Sequence, residues 1–486
     1  MRVAVIAIAA FAPAACATVD REEVDARLPD RAGFAAEAPV EKPAAPDWLA
    51  TFDSPQMEAL VGEALARNNS LAASAATYRS SRELARQSRA GLLPRVEASF
   101  DASRQGTVFG PQQRAVFGSD RVYFNQYSAG VLLSWELDIF GRLADGARAA
   151  FNDAAAARAD FEGARLSLAG RTAQAWFNLV EARQQRELAE RDVDNRSRSY
   201  AVTDRRYGRG VSTSLDVRLS RSALASAEAT LALRQRNELE ASRALEVLLG
   251  RYPAAELAAP EALPKLPGLP DVGTPGDVLA QRPDVLAAER RMAAAGLRAR
   301  EARKALLPQL TLTTPFSSNE EDFEDAFNIN RIGGSIIAGL VQPLFQGGRL
   351  RSQARQRKRQ MQGAVFDYVE AALNAFQEAE NALGAETLLE KQETALRLAF
   401  EEAAAAQELT ERRYASGRAT IFELLDAQQR RITAESQYIT IVRDRLSNRV
   451  SLHLAVGGAF EAPAFGPSAD GQPVADAAET SKGGAA

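Results

Sequence analysis

The sequence predicts an α+β membrane protein made of two tandem structural repeats, each holding one β-hairpin and one long helical hairpin. Three observations carry this. A turn-like stretch, Arg205-Arg206-Tyr207-Gly208-Arg209-Gly210-Val211-Ser212-Thr213, returns as Arg412-Arg413-Tyr414-Ala415-Ser416-Gly417-Arg418-Ala419-Thr420 at a constant offset of 207. Apolar and polar residues alternate with a period of two from Arg95 and again from Tyr123. Finally, the segments 142–206 and 349–413 contain no proline and read as helices throughout.

Each turn copy reads as the reversal of a helical hairpin. Gly210 and Gly417 can take φ > 0 at a helix C-terminus, and Ser212, Thr213 and Thr420 can cap the returning helix. The arginines just before each glycine suit the negative end of the helix dipole. One copy alone would be an ordinary solvated turn; two at a fixed spacing mark equivalent parts of a repeat. The same offset places Trp176 on Leu383, Leu245 on Leu452, Leu249 on Val456 and Gly250 on Gly457. Upstream, Leu92-Leu93-Pro94 answers Leu306-Leu307-Pro308 at an offset of 214, and Asp138-Ile139-Phe140-Gly141-Arg142-Leu143 answers Leu344-Phe345-Gln346-Gly347-Gly348-Arg349-Leu350. The repeats therefore span 54–250 and 277–458, joined by a linker over 251–276 with Pro253, Pro260, Pro264, Pro267, Pro270 and Pro275.

The chain begins with Met1-Arg2, an apolar run from Val3 to Phe11, and Ala14-Ala15-Cys16-Ala17. One charge, a short apolar core and small residues describe a secretory signal over 1–15 rather than a membrane-spanning helix. Cys16 is the only cysteine, so no intrachain disulfide can form. Its setting resembles a bacterial lipoprotein processing site, with Pro13 where leucine is usual, which makes Cys16 the candidate lipidation residue. The alternative is a cysteine removed with the signal. Ala17 rather than Asp after the cysteine implies, by that resemblance, the outer membrane. Residues 16–53 read as an extended arm with Trp48 and Phe52 as anchors, and 459–486 as a disordered tail. A net charge of −4 gives no electrostatic argument for nucleic acid.

Helical pattern runs from Ser54 to about Ala90 and stops at Pro94. Val96, Ala98, Phe100 and Ala102 then alternate with Arg95, Glu97, Ser99, Asp101 and Ser103. After a polar loop over 106–121, Tyr127, Ala129, Val131, Leu133, Trp135 and Leu137 alternate with Gln126, Ser128, Ser134 and Glu136, giving a hairpin over 95–139. Val96, Phe100, Val131, Leu133 and Trp135 share the apolar parity and are expected on the lipid side. The second hairpin, 309–343, has Leu310, Leu312 and Phe316 on a short strand that Pro315 interrupts, then Ile332, Ile336, Ala338 and Leu340 on a glycine-rich one. Four strands cannot close a membrane barrel, because lipid offers no partner to unpaired edge groups and known barrels begin at about eight. Several copies must share one barrel; a soluble sheet packed on helices is the alternative.

Each helical arm would extend roughly 100 Å at about 1.5 Å per residue. Leu166, Ala169, Ala173, Trp176 and Val180, and in the second half Val369, Leu373, Phe376 and Leu383, give a narrow seam with the spacing of a coiled coil. Helices with one thin packing stripe and two wetted sides suit a curved wall better than a solid core.

These motifs, together with Gln281-Arg282-Pro283-Asp284-Val285, Pro343-Leu344-Phe345-Gln346-Gly347-Gly348-Arg349 and Leu424-Leu425-Asp426-Ala427-Gln428, closely resemble the outer membrane factor family over 54–458. The Cys16 start and the Arg-Pro-Asp motif resemble its OprM and NodT branch of efflux lipoproteins more than TolC. The resemblance implies a homotrimer with a twelve-stranded β-barrel, four strands per chain, continued by a long α-helical barrel across the periplasm. It implies a small-molecule efflux channel working with a periplasmic adaptor and an inner-membrane pump of the RND type. It also implies that the hairpin tips close the channel, with Arg206, Tyr207, Asp216, Arg413, Tyr414 and Asp426 at the aperture. Asp216 is expected to correspond to Asp426. Two departures stand out: Asn68-Asn69-Ser70-Leu71 replaces the family's Asn-Pro-Asp-Leu, and Gln429 followed by Arg430 stands where relatives carry arginine.

No cofactor or metal site is expected, and an enzyme is disfavoured. The single histidine, His453, lies on an apolar helical stripe where a packed imidazole is the ordinary explanation, and no phosphate-binding loop or Ser-His-Asp set occurs. The alternatives are an outer membrane conduit for type I protein secretion and, in another class, a secreted coiled-coil structural protein.

Overall fold

The computed structural model describes residues 33–36, 47–260 and 262–458. Cys16, the signal and the tail lie outside the described residues, as does most of the arm. The described residues divide into two compact units, one formed by 79–157 with 288–368 and the other by 47–78, 158–287 and 369–458.

The repeat is legible in the helix boundaries. Helices α1 (Pro55–Arg67) and α2 (Asn69–Ala90) precede strand β1 (Arg95–Val108), and α6 (Pro275–Gln281) and α7 (Pro283–Lys304) precede β3 (Gln309–Glu320). Short helix α3 (Pro111–Phe117) and strand β2 (Arg121–Leu137) complete the first β-hairpin. Arms α4 (Arg142–Gly208) and α8 (Arg349–Ala415) are both 67 residues, and their returns α5 (Ser214–Leu248) and α9 (Ile421–Ala455) are both 35. All four boundaries of the first hairpin map onto the second at the offset of 207.

In the unit holding the strands, β1 and β2 pair in antiparallel register over their whole shared length, and β2 pairs β3. The last strand comes in two pieces, β4 (Gly333–Gly334) and β5 (Ile337–Val341), both paired with β3. Pro315 does not shorten β3, contrary to expectation; its effect falls on the partner. Ser335 N–H donates to the Pro315 carbonyl at 3.2 Å, but proline has no N–H to return, so the ladder breaks between β4 and β5. The loop expected over 106–121 is also shorter than predicted, since β1 runs to Val108 and α3 occupies its middle.

Cross-strand partners lie on one face of a sheet, so the register tests the parity reading. Val96 faces Leu133, Ala98 faces Val131 and Phe100 faces Ala129; Val131 in turn faces Phe316, Trp135 faces Leu312 and Leu310 faces Leu340. One apolar face therefore runs across all four strands. At one end it is covered by the 321–331 segment, where Phe327 stacks on Phe100 at 5.3 Å and Phe323 meets Tyr127 edge-on at 5.7 Å. Beneath the sheet, buried Asp145 on α4 takes Lys304 Nζ at 2.7 Å, and Arg142 binds Glu136 at 2.7 Å.

The helical unit has two equivalent cores. Trp176, Leu245 and Leu249 pack with Trp48, Phe52, Phe161 and Phe177, and their repeat partners Leu383, Leu452 and Val456 pack with Val272 and Val278. The arm residues Trp48 and Phe52 are fully buried. His453 is buried as well, stacked on Trp48 at 5.7 Å. The predicted seam holds on α4, where Leu166, Ala169, Ala173, Trp176 and Val180 are all buried. On α8 it needs correction: Leu373 is exposed and Phe376 only half-buried, while Val365, Ala372, Ala375 and Ala379 line the buried stripe with Val369 and Leu383. Close helix approach selects alanine there, so the larger apolar residues were the wrong markers.

Two motifs resolve into capping devices. Asn68 takes the place of Arg282 before its helix with nearly the same ψ, 122° against 123°, and its side chain accepts from Leu71 N–H at 3.0 Å. The departure at Asn69 thus leaves the helix entry intact. Arg282 is buried and forks onto Asp284 and Glu378, both at 2.7 Å, while donating to the Ala455 carbonyl at 3.0 Å. Among the described residues no helix is long and apolar enough to cross a membrane.

Candidate aperture at the hairpin turns

Both turns close by the same hydrogen bonds. Gly210 N–H donates to the Tyr207 carbonyl at 2.9 Å and Val211 N–H to Arg206 at 2.9 Å; in the second copy Gly417 donates to Tyr414 at 3.0 Å and Arg418 to Arg413 at 2.8 Å. This paired closure requires a left-handed residue, and Gly210 and Gly417 supply it with φ of 73° and 75°. Thr213 and Thr420 are the N-caps, each in a reciprocal capping box. Ser212 caps nothing in these boxes.

The capping boxes correct one expected correspondence. Thr213 N–H donates to Asp216 Oδ2 at 2.8 Å and Thr420 N–H donates to Glu423 Oε2 at 2.6 Å, so Asp216 is the counterpart of Glu423, not of Asp426. The Thr420 N–H and hydroxyl hold the Glu423 carboxyl below the usual carboxylate range. Asp426 instead pairs with Arg430 one turn on, at 2.8 Å, with both side chains largely exposed. The Asp426 carboxylate holds the Arg430 guanidinium above its ordinary pKa.

The two tyrosines differ sharply. Tyr414 is buried, 6% exposed, whereas Tyr207 is 49% exposed. Tyr414 lies with Ile421 and Leu424 against Val202. The Thr203 hydroxyl donates to the Ser199 carbonyl at 2.9 Å, which leaves its oxygen to accept from the Tyr414 hydroxyl at 2.8 Å. Arg206 lies over the Tyr414 ring at 4.9 Å and donates to the Tyr414 carbonyl at 2.8 Å. Tyr414 and Arg206 thus join the two hairpins of one chain. Arg413 reaches the Arg418 carbonyl at 3.5 Å within its own turn.

Farther along, Gln429 accepts from buried Arg196 at 3.0 Å, and Gln428 donates to Ser199 at 3.0 Å. Sequence reasoning missed Thr203, Ser199 and Arg196. The signal for Thr203 was present: Thr203-Asp204-Arg205-Arg206-Tyr207 and Thr410-Glu411-Arg412-Arg413-Tyr414 extend the repeat upstream. The structure brings Arg206 and Tyr414 together; Tyr207, Asp216 and Asp426 stand apart from that contact. No group of three or more His, Cys, Asp or Glu among the described residues is placed to hold a metal ion.

The chain thus combines an antiparallel sheet with one apolar face and two capped helical hairpins of equal length. The model of the outer membrane efflux protein family matches residues 60–251 and 274–458. The chain belongs to that family. It is 31% identical over 425 residues to the pyoverdine export outer membrane protein OpmQ of Pseudomonas putida, covering 85% of this chain and 88% of the relative. It is 27% identical to the cation efflux system protein CusC of Escherichia coli, covering 85% and 88%. Among solved structures, the outer-membrane channel OprN superposes with a TM-score of 0.80 at 25% identity, covering 89% of this chain and 98% of that one. The family is one of transport channels rather than enzymes, and this chain is an outer membrane efflux channel.

Proposed function

We propose that three copies of the chain form one channel: a twelve-stranded β-barrel in the outer membrane, continued by an α-helical barrel through the periplasm. The observation that carries this is the sheet. Its apolar face runs across every strand, while β1 pairs only with β2 and β5 only with β3, so among the described residues both edges are unpaired. A sheet placed in lipid must close, and each copy supplies four strands toward closure. In this reading the hairpin turns lie at the periplasmic end and form the aperture, which a periplasmic adaptor opens and an inner-membrane pump of the RND type feeds. Cys16 carries the lipid anchor. Pyoverdine export and cation efflux are named for relatives that match over most of their length, which supports a conduit whose cargo the pump selects.

The full chain purified in detergent should have the native mass of three copies and conduct ions in planar bilayers. A monomer that stays soluble without detergent, and leaves bilayers silent, would exclude the channel assembly.

A further inference from the structure

The two arms start at equivalent positions of the repeat and are charged very differently there. Helix α8 opens with Arg349, Arg351, Arg355, Arg357, Lys358 and Arg359, and the sequence has no acidic residue between Asp325 and Asp367. Shifted back by 207, the same positions on α4 are Arg142, Ala144, Arg148, Ala150, Phe151 and Asn152, with Asp145 inside the stretch and Asp153 beside it. Both arginines of α4 meet carboxylates, Arg142 on Glu136 at 2.7 Å and Arg148 on Asp145 at 3.9 Å. On α8 the side-chain partners are neutral: Arg355 donates to Ser352 at 3.1 Å, Arg357 to Gln360 at 3.0 Å and Arg359 to Gln362 at 2.8 Å. Among the described residues no carboxylate pairs with any of these α8 cations.

Arg351, Arg355, Lys358 and Arg359 recur at the spacing of one helix side and all are exposed, whereas Met361 and Val365 on another side are buried. The stripe stands directly after the last strand. β5 ends at Val341, α8 begins at Arg349, and between them Leu344 and Phe345 are each 88% exposed. Leu344, Phe345, Arg349 and Arg351 line one groove of about 130 Å³. Bare apolar side chains followed by a run of unneutralised cations match the layers a chain meets on leaving a bilayer, acyl chains first and phosphates next.

We infer that residues 344–359 form a docking surface for anionic phospholipid headgroups on the periplasmic leaflet, with Leu344 and Phe345 among the acyl chains and the α8 cations on the phosphates. The inference rests on the proposed placement of the strands in the outer membrane, with α8 leaving it on the periplasmic side. Charge complementarity selects the occupant, because a zwitterionic headgroup brings no net charge to offset the run. Each basic side chain at an anionic bilayer surface is worth about five-fold in local affinity, an attraction that added salt screens. Helix α4 carries no such run, so each copy presents this surface once.

The test uses the full-length protein carrying Phe345→Trp, reconstituted in phosphatidylcholine vesicles doped with brominated phosphatidylglycerol or, at the same share, brominated phosphatidylcholine. Bromine quenches indole emission on contact, and the signal is read as the difference from the parent, which holds Trp48, Trp135 and Trp176. The brominated anionic lipid should quench the added indole several-fold more strongly, and the excess should fade as salt is raised. Arg351→Gln, Arg355→Gln, Lys358→Gln and Arg359→Gln together should abolish the excess, while Arg355→Lys with Arg359→Lys should keep it. A second measurement needs no added tryptophan: the ratio of anionic to zwitterionic phospholipid that copurifies in neutral detergent should fall in the glutamine variant. Equal quenching by both lipids with an unchanged copurifying ratio overturns the inference and leaves the barrel standing. Binding to isolated cell-wall sacculi that the glutamine variant loses, without any lipid preference, assigns the stripe to the wall polymer and overturns it too. A parent that does not float with vesicles after an alkaline wash overturns the barrel placement and the inference with it.

Discussion

Raising the proton concentration should test the buried imidazole. His453 lies against Trp48 and Phe52, neither ring nitrogen has a hydrogen-bond partner, and Arg449 is the charged group that acts on it. Burial first, and the Arg449 charge second, push its pKa down to about 4. In the unfolded chain the same group titrates near 6.5. Between these values the unfolded state binds a proton that the folded state refuses, so folding is favoured fully above about pH 6.5 and progressively less as pH falls toward about 4. At pH 5 the difference is about 2 kcal/mol per chain, and below both pKa values about 3 kcal/mol. His453→Leu keeps an apolar side chain in the site and removes the proton. Guanidinium unfolding in detergent, followed by tryptophan fluorescence, should therefore show the parent losing about 2 kcal/mol per chain more than the variant between pH 7.5 and 5. His453 is the only histidine, so its ring resonance also reports the pKa directly. Equal pH losses in parent and variant, or a measured pKa at or above 6, would refute the argument.

Other perturbations address the membrane and the tip. Leu133→Arg, on the apolar face, should cost about 2 to 4 kcal/mol if the residue lies near the bilayer midplane, and Ser134→Arg on the opposite face should assemble normally; equal yields of assembled protein would refute the proposed orientation of the sheet. Cys16→Ser should abolish palmitate incorporation while the protein stays in the membrane, because in the proposed assembly the barrel is the main anchor and one acyl chain binds only marginally; persistent labelling would remove the lipoprotein assignment. Asp426→Ala combined with Tyr414→Phe deletes the exposed Arg430 pair and the Thr203 hydrogen bond, and should raise single-channel conductance, whereas Glu190→Ala midway along α4 should not. Parental conductance in the double variant would take both residues out of the gate.

The repeat and the strand faces were legible because each is a local periodicity. Two-residue alternation fixes which face a side chain takes, so Val96, Val131 and Leu133 could be grouped before any register was known. Constant offset placed Trp176 with Leu383 and Leu245 with Leu452, and the two cores keep those pairs. The α8 seam was misread for a physical reason. Its buried stripe is carried by Ala372, Ala375 and Ala379, which look the same in sequence as the alanines on wetted faces. Only the neighbouring helix distinguishes them.

The tip shows most clearly what a repeat can and cannot disclose. Asp216 and Asp426 both follow leucine near a helix start, and that likeness suggested equivalence. The capping boxes instead align Asp216 with Glu423, because a box requires its acid three residues after the threonine, and the hydrogen bonds set the alignment. Tyr207 and Tyr414 are equivalent in sequence, in turn geometry and in their preceding Thr-acid-Arg-Arg, yet one is buried and the other open. Local sequence cannot produce that difference, since it is nearly the same at both sites. The difference comes from what lies beside each hairpin: Tyr414 has Thr203 and Arg206 of its own chain beside it, and Tyr207 has no counterpart pair in the described residues. The repeat therefore sets the turn, while the neighbouring helix sets the burial.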